Sequence, residues 1–430
     1  MRPAGRLSAA IEVLTDILDR HRPASEALAD WGKAHRFAGS GDRAAIGNLV
    51  YDALRRKASA AARMGSDTPR ALALATAGDA WAISVEEVVG LADGSAHASP
   101  PLTDRERAAL ASPTSSDVAD HALADVPAWA WPSFQRVFGE EAIAAGRAMA
   151  ERAPADLRVN TLKSTVEKVE RSLQPFAPER TPLSPTGLRV PAPKGPGRTP
   201  NLLVEAAFQA GWFEIQDEGS QMAARLAYAT HPKAGQVLDL CAGGGGKSLA
   251  LAALKDNRGQ IYAYDTDKHR LAPIYQRLKR SGARNLQVRA PRQGALDDLA
   301  GKLDLVLVDA PCSGTGTWRR RPDAKWRLSP EAVARRVAEQ RAILDEAVTF
   351  VRPGGVLVYV TCSVLPEENG DQINALLERL PGLSTVDLDR VWPDVTPAPK
   401  PRGFAAGRLQ LSPHRDGTDG FFVAALRLAK

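Results

Sequence analysis

The sequence predicts a multidomain protein whose C-terminal half is an α/β fold, a doubly wound, Rossmann-like parallel sheet. A small α+β module and an all-helical N-terminal domain precede it. Three observations carry this. From about Phe213 onward, short apolar runs alternate with helical stretches; between Leu7 and about Ala92, apolar residues recur at three- and four-residue steps; and 430 residues exceed what one core usually organises. The expected domains are 1–125 (helical), 126–205 (α+β) and 206–430 (parallel sheet).

In the first domain Ile11, Leu14 and Leu18, then Ile46, Leu49, Val50, Ala53 and Leu54, mark the inner faces of helices. Asp93 to Pro113, rich in small and polar residues, reads as a loop or linker. Trp129 and Trp131 read as core. A segment at Leu157 to Thr161, a helical pattern from Val166 to Leu173 and a strand around Gly187 to Val190 make the small module. The Pro- and Gly-rich Pro191 to Pro200 closes it. Strands are then expected at Val237 to Leu240, Ile261 to Asp265, Leu286 to Arg289, Leu303 to Asp309 and Val356 to Thr361. Helices Lys247 to Leu254, Arg270 to Ser281 and Pro330 to Val351 alternate with them, and Gly420 to Leu426 is a last strand, able to run antiparallel.

Composition narrows the class. Fifty-six basic residues against 50 acidic ones give a formal +6, which favours a polyanionic partner. Three cysteines make neither a disulfide framework nor a four-ligand zinc set, so reduced thiols and a cytoplasmic setting are expected. The histidines show no metal spacing, and no metal is expected. No apolar run approaches the roughly 20 residues that span a bilayer, so no membrane partner is expected.

The strand Val237 to Leu240 runs into Cys241, Ala242, Gly243, Gly244, Gly245, Gly246 and Lys247, then into a helix. Glycines let a ligand approach the main chain, and the helix start offers free amides, so a nucleotide-like cofactor is the expected occupant. A phosphate-binding Walker loop needs glycine where Cys241 stands, which excludes an ATPase reading. Asp265 ends the next strand, where a carboxylate can hold ribose hydroxyls; Asp267, one step further, reads as a helix cap. Loop and acid together report adenosine without separating a nicotinamide from a sulfonium cofactor.

The thiols separate them. Cys312 and Cys362 each follow a buried-strand run, so both should emerge at one edge of one sheet. Hydride transfer needs no thiol pair. Methylating carbon 5 of a pyrimidine does, because that carbon becomes nucleophilic only after a thiolate adds at carbon 6. The sulfonium of S-adenosylmethionine and Lys247 can lower a thiol pKa there, and Asp309, at the same strand exit, can serve ring N3. Beyond Cys312, the cations Arg320, Arg321 and Lys325 suit RNA phosphates, and Trp326 suits a splayed base.

Residues 213 to 430 resemble the catalytic domain of the Sun/Fmu family of RNA cytosine-C5 methyltransferases, relatives of the nucleolar Nop2 proteins. The likeness rests on Glu214 to Gln221, Cys241 to Ser248, Ala263 to Asp267, Asp309 to Gly314, Arg320 to Trp326, Val360 to Ser363 and Asp416 to Phe422. It implies that Cys362 is the nucleophile, that Cys312 helps the RNA leave the covalent intermediate, and that Asp309 contacts the cytosine with Lys247 close by. It also implies that Asp265 and the backbone of Cys241 to Gly246 hold S-adenosylmethionine. The N-terminal half resembles the antitermination factor NusB at Gly41 to Ala45 and Leu49 to Arg55, an arrangement of the bacterial ribosomal branch. The implied partner is RNA, small-subunit ribosomal RNA, and the implied state a monomer.

Two positions depart from the family. Its loop usually reads Cys-Ala-Ala-Pro-Gly-Gly-Lys, and Gly243 and Gly244 replace the alanine and proline, so a slack turn ordered by cofactor is expected. An aspartate usually follows the third strand, and Ala290 to Gln293 contains no acid. These departures motivate an alternative, an RNA-binding assembly factor with impaired catalysis.

Overall fold

A computed structural model describes residues 1–112 and 117–430. The chain divides into two compact units: Met1–Ala153 with Ala192–Thr199 and Trp318–Ser329, and Pro154–Pro191 with Pro200–Thr317 and Pro330–Lys430. By compactness the helical unit extends to Ala153, and the small sheet falls in the same unit as the large one. No helix among the described residues is long and apolar enough to cross a membrane.

In the first unit the helices Pro3–Arg20, Ser40–Arg55 and Pro69–Trp81 bury Leu7, Leu14, Ile46, Leu49, Leu72 and Leu74 in one core. The stretch read as a linker contains a helix, Asp104–Ala111, started by a capping box in which Thr103 and Glu106 satisfy each other's backbone amides. Glu106 is further held by Arg70 at 2.7 Å. Polar composition hid this helix, because a cap and an ion pair start it and its apolar contact is confined to Ala109 and Leu110 near its end. Pro113, the end of that stretch, lies outside the described residues. Trp129 and Trp131 are only half buried; the core aromatics nearby are Phe134 and Phe138.

The segment Trp318–Ser329 packs wholly into this unit, which corrects the expected RNA role of two of its residues. Lys325 is 0% exposed and donates to the carbonyls of Arg55 at 2.8 Å and Asp125 at 2.7 Å. Trp326 Nε1 donates to Leu54 O at 2.6 Å, and Trp318 stacks on Phe134. Burial pushes the Lys325 ammonium down to about 8. Neither side chain is presented to a phosphate or a base, whereas Arg321 is exposed and Arg320 half-buried. Lys325→Met is expected to lower the stability of this unit by about 2–3 kcal/mol, because two buried carbonyls lose their donor. Urea denaturation checks it, and an unchanged midpoint would refute the inward role.

The second unit carries two sheets. The small one, in the order β2-β3-β1-β4, is antiparallel and comprises β1 (Ala155–Val159), β2 (Glu179–Arg180), β3 (Gly187–Val190) and β4 (Phe213–Ile215). The large one contains β5 (Gln236–Asp239), β6 (Gln260–Tyr264), β7 (Leu286–Arg289), β8 (Leu303–Asp309), β9 (Val351–Thr361), β10 (Leu383–Thr385), β11 (Phe404–Ala405), β12 (Arg408–Leu411) and β13 (Phe421–Leu428). Its order is β11-β12-β13-β9-β8-β5-β6-β7, parallel from β9 to β7, with β13 antiparallel to β9 and paired also to β10.

The apolar runs are strands buried on both faces. Val237, Leu305, Leu307, Val356 and Val358 fill the core on one side, while Leu238, Val306, Val308, Leu357 and Tyr359 fill it on the other. Register then fixes the site: Asp239 lies opposite Ala263 and Leu307, and Asp309 opposite Val360, so β5, β6, β8 and β9 end along one edge. The expected helix from Arg270 is broken into Lys268–Leu271 and Pro273–Ser281 by Pro273, and Asp267 caps the first piece through His269 N at 2.8 Å.

Candidate active site

Cys312 and Cys362 meet at this edge with their sulfurs 3.4 Å apart. Each thiol is held by its own network. The Cys312 loop is fixed by Glu368, which is 0% exposed and accepts from Ser313 N at 2.7 Å, from the Ser313 hydroxyl and from Gln340 Nε2 at 3.1 Å. The Cys362 loop is fixed by Asn369: Thr361 Oγ1 donates to Asn369 Oδ1 at 2.6 Å, and Asn369 Nδ2 donates to Ser363 O at 2.9 Å. A third clamp is backbone alone. Gly316 N donates to Cys362 O at 3.0 Å, and Gly420 N to Gly316 O at 2.8 Å, an approach so close that a Cβ on Gly316 would lie 2.1 Å from Gly420 O.

The Cys312 thiol is pushed well above its ordinary value by its hydrogen bond to the Cys362 sulfur, by burial and by the Glu368 charge. A raised value favours the protonated thiol at Cys312. At the end of β8 on the same sheet edge, Lys247 Nζ lies 2.7 Å from Asp309 Oδ2 and 5.2 Å from the Phe421 ring centre. An ammonium and a carboxylate thus form an ion pair at the strand exit.

The glycine loop borders a cavity of about 350 Å³ lined by Cys241 to Gly244, Gly246, Lys247 and Asp309. Gly245 adopts φ +78°, and a Cβ there would strike Ile274 at 2.4 Å. The expected slackness at Gly243 and Gly244 is absent. Arg277, steered by Glu214 at 2.9 Å, donates to Gly244 O at 2.7 Å, and Gly243 N donates to Asp265 Oδ2 at 3.0 Å. Asp265 is buried, and its other oxygen accepts Asp267 N at 2.9 Å. Each of its oxygens keeps a lone pair for a hydroxyl group. Arg292 and Gln293, after β7, are exposed.

Behind the loop Asp239 is 0% exposed; Ser248 Oγ donates to its Oδ2 at 2.5 Å, and Oδ1 has no partner. Burial pushes its carboxyl up to about 7, with the charges of Asp309 and Asp265 adding and the Ser248 hydrogen bond opposing. Since the folded value exceeds the unfolded value of 3.8, Asp239 favours folding below pH 4, and that contribution is lost as pH rises to about 7. The loss is on the order of 4 kcal/mol at 1.36 per pKa unit. An Asp239→Asn variant is expected to lack this dependence; urea midpoints at pH 5 and pH 8 that shift equally in both proteins would contradict it. Cys241 is buried, and burial beside Asp239 pushes its thiol up, so it serves packing and backbone geometry rather than chemistry.

Glu368, Asn369, Arg277 and Glu214 were not singled out in the sequence. The first two follow the Thr-Cys-Ser stretch within seven residues, in Pro366-Glu367-Glu368-Asn369, and a Glu-Asn pair there was the available signal. Arg277 and Glu214 are 63 residues apart and left no local one.

The family model for the 16S rRNA methyltransferases RsmB/F matches residues 227–427, and the ferredoxin-like domain model of the same group matches residues 126–195. A probable ribosomal RNA small subunit methyltransferase B of Synechocystis is 31% identical over 70% of this chain and 67% of its own length. A like-named protein of Bacillus subtilis is 38% identical over 51% of this chain and 48% of its own length. The chain thus spans between about half and two thirds of these relatives. A solved methyltransferase homologue from Pyrococcus horikoshii aligns with TM-score 0.58 and 27% identity over 72% of this chain and 97% of its own. A methyltransferase family implies S-adenosylmethionine, and the site fits it: free amides at the start of the helix Gly246–Leu254, a glycine cradle, and Asp265 oriented for hydroxyl groups.

Proposed function

The chain belongs to the RsmB/F family of 16S rRNA methyltransferases, and from that premise we propose that it methylates carbon 5 of a cytosine in small-subunit ribosomal RNA through a covalent adduct on Cys362. The observation that supports this most directly is the pair of sulfurs 3.4 Å apart at the sheet edge that also carries the Lys247–Asp309 pair. A site for methylating an oxygen or an exocyclic nitrogen needs no second thiol.

The target base leaves its stack, since both ring faces are otherwise covered. The Cys362 thiolate adds to carbon 6, and charge building at N3 is met by a proton passed from Lys247 Nζ through Asp309. The backbone of Cys241 to Gly246 and the Asp265 carboxylate hold S-adenosylmethionine, which supplies an electrophilic methyl group to carbon 5. Once its sulfur is bonded to carbon, Cys362 no longer accepts the Cys312 S–H. Cys312 can then ionise, take the proton from carbon 5, and return to its resting hydrogen bond as Cys362 departs. As Cys362 departs, the N3 proton returns through Asp309 to Lys247, so the net release is the one proton replaced at carbon 5 per turnover. The N-terminal helical domain, NusB-like in this reading, and the exposed Arg321 add RNA contacts.

The test is the product. The protein, S-adenosylmethionine and unmodified 16S rRNA are incubated, and the digested RNA is analysed by mass spectrometry. 5-Methylcytidine is expected; methyl groups confined to ribose, adenine or an exocyclic amine would overturn the proposal. Of the two motives for the impaired-factor alternative, the altered loop is answered by its hydrogen bonds to Arg277 and Asp265, and the acid-free stretch after β7 stands.

A further inference from the structure

Three cations, Lys247, Arg270 and Arg277, line the cavity beside the glycine loop, and the first two are placed for other work. Lys247 Nζ is held by Asp309 at 2.7 Å. Arg270 is 48% exposed and stands 3.8 Å from Asp265 Oδ2, at the carboxylate assigned to the ribose. Arg277 is fixed at two of its three nitrogens: Nε donates to Glu214 Oε2 at 2.9 Å, and Nη1 donates to Gly244 O at 2.7 Å. Its Nη2 has no partner among the described residues.

A second nitrogen meets it. A Cβ built on Gly246 would lie 3.7 Å from Arg277 Nη2 and 3.7 Å from Gln216 Nε2, so both nitrogens converge on the start of the helix Gly246–Leu254. Gln216 is buried and is itself held by Arg158, whose Nε donates to Gln216 Oε1 at 2.6 Å. One Nε2 hydrogen goes to Ser220 Oγ at 3.0 Å, which leaves the other hydrogen and the Ser220 hydroxyl proton to the cavity that both residues line. No side chain caps the first amides of the helix. Glu214, buried behind Arg277, spends its oxygens on Arg277 and on Arg280 at 2.8 Å. The side-chain groups left over on this wall are therefore donors.

The amino-acid end of S-adenosylmethionine carries two charged groups, an α-carboxylate that only accepts hydrogen bonds and an α-ammonium that only donates them. A wall of donors selects the first. We propose that Arg277 Nη2 and Gln216 Nε2, together with the amides of the helix start, recognise the α-carboxylate of the cofactor. Arg277 is then a specificity-determining residue as well as the strut of the glycine loop. This role depends on the cofactor and not on which atom of the base is methylated.

Calorimetry on the full chain tests it by comparing S-adenosylmethionine with decarboxylated S-adenosylmethionine, which lacks the carboxylate alone. The wild type is expected to bind the decarboxylated compound about ten- to a hundredfold more weakly, the scale of hydrogen bonds to a charged group. Arg277→Met removes the strut at Gly244 for both compounds and the partner for only one, so S-adenosylmethionine should lose about tenfold more affinity than its analogue. Gln216→Glu keeps the acceptor for Arg158 and sets a negative charge against the carboxylate. It should weaken S-adenosylmethionine by about tenfold or more and leave the analogue at least as tight as in the wild type. A purely structural Arg277 would weaken both compounds by the same factor. Equal wild-type affinity for the two compounds, or equal losses for both in each variant, would overturn this assignment and leave the cofactor in its site. Failure of the wild type to bind either compound would overturn the cofactor site itself.

Discussion

Cys362→Ala is expected to abolish methyl transfer, a loss of at least about 10⁴-fold, while leaving cofactor binding and thermal stability near wild type. The size follows from the role. Without a bond at carbon 6, carbon 5 of cytosine is not a nucleophile, and removing a covalent nucleophile typically costs as much as removing the whole catalytic group around it. Cys312 cannot substitute. Its sulfur stands 3.4 Å from the Cys362 sulfur, and displacements of about 1 Å already cost about 10²-fold. The variant should still fold, because Thr361 and Ser363 keep their bonds to Asn369 on either side of the missing sulfur. Transfer of tritium-labelled methyl groups to 16S rRNA measures the effect, and calorimetry with S-adenosylhomocysteine controls for cofactor binding. Activity within tenfold of wild type would remove Cys362 from the mechanism.

The parallel sheet and the location of the site were legible in the sequence because both follow from period-2 burial and strand polarity. Runs such as Leu303 to Val308 and Val356 to Val360 are apolar at every position only when both faces are covered. Strands of that kind run parallel and end together, which brings Cys312, Cys362 and Asp309 to one edge. The supports of the site were not legible. Glu368 holds the Cys312 loop from 55 residues away, Arg277 holds the glycine loop through Glu214, and nothing local distinguishes either from a surface charge. The same blindness produced the misreading of Lys325 and Trp326. A basic cluster with an aromatic has one composition whether it faces phosphate or backbone carbonyls, and only packing separates the two.

Burial also explains why two chemically identical thiols take different roles. Glu368 lies against the loop of Cys312, whereas the loop of Cys362 is held by the neutral amide of Asn369. A carboxylate near one sulfur raises the cost of its anion. In the proposed mechanism a proton held on Cys312 is what leaves Cys362 as the sulfur that attacks.

This asymmetry yields the second large effect. Cys312→Ala is expected to trap the enzyme on its RNA, as a band that migrates more slowly than the free protein on a denaturing gel, while multiple turnover falls by about 10²–10⁴-fold. The adduct should form because Cys362, Lys247 and Asp309 are intact. It should persist because expulsion of Cys362 needs the carbon-5 proton removed and a donor for the departing sulfur, and the Cys312 sulfur, 3.4 Å away, supplies both. Treating the band with ribonuclease should return the protein to nearly its free mobility, and mass spectrometry of the remnant should place a nucleotide on the peptide containing Cys362. The exchanged assignment, Cys312 attacking and Cys362 releasing, requires the opposite pattern, an adduct in Cys362→Ala and none in Cys312→Ala. The two single variants, run on one gel, therefore decide which sulfur attacks. A Cys312→Ala lane without the slow band, alongside wild-type turnover, would show that release does not depend on the second thiol.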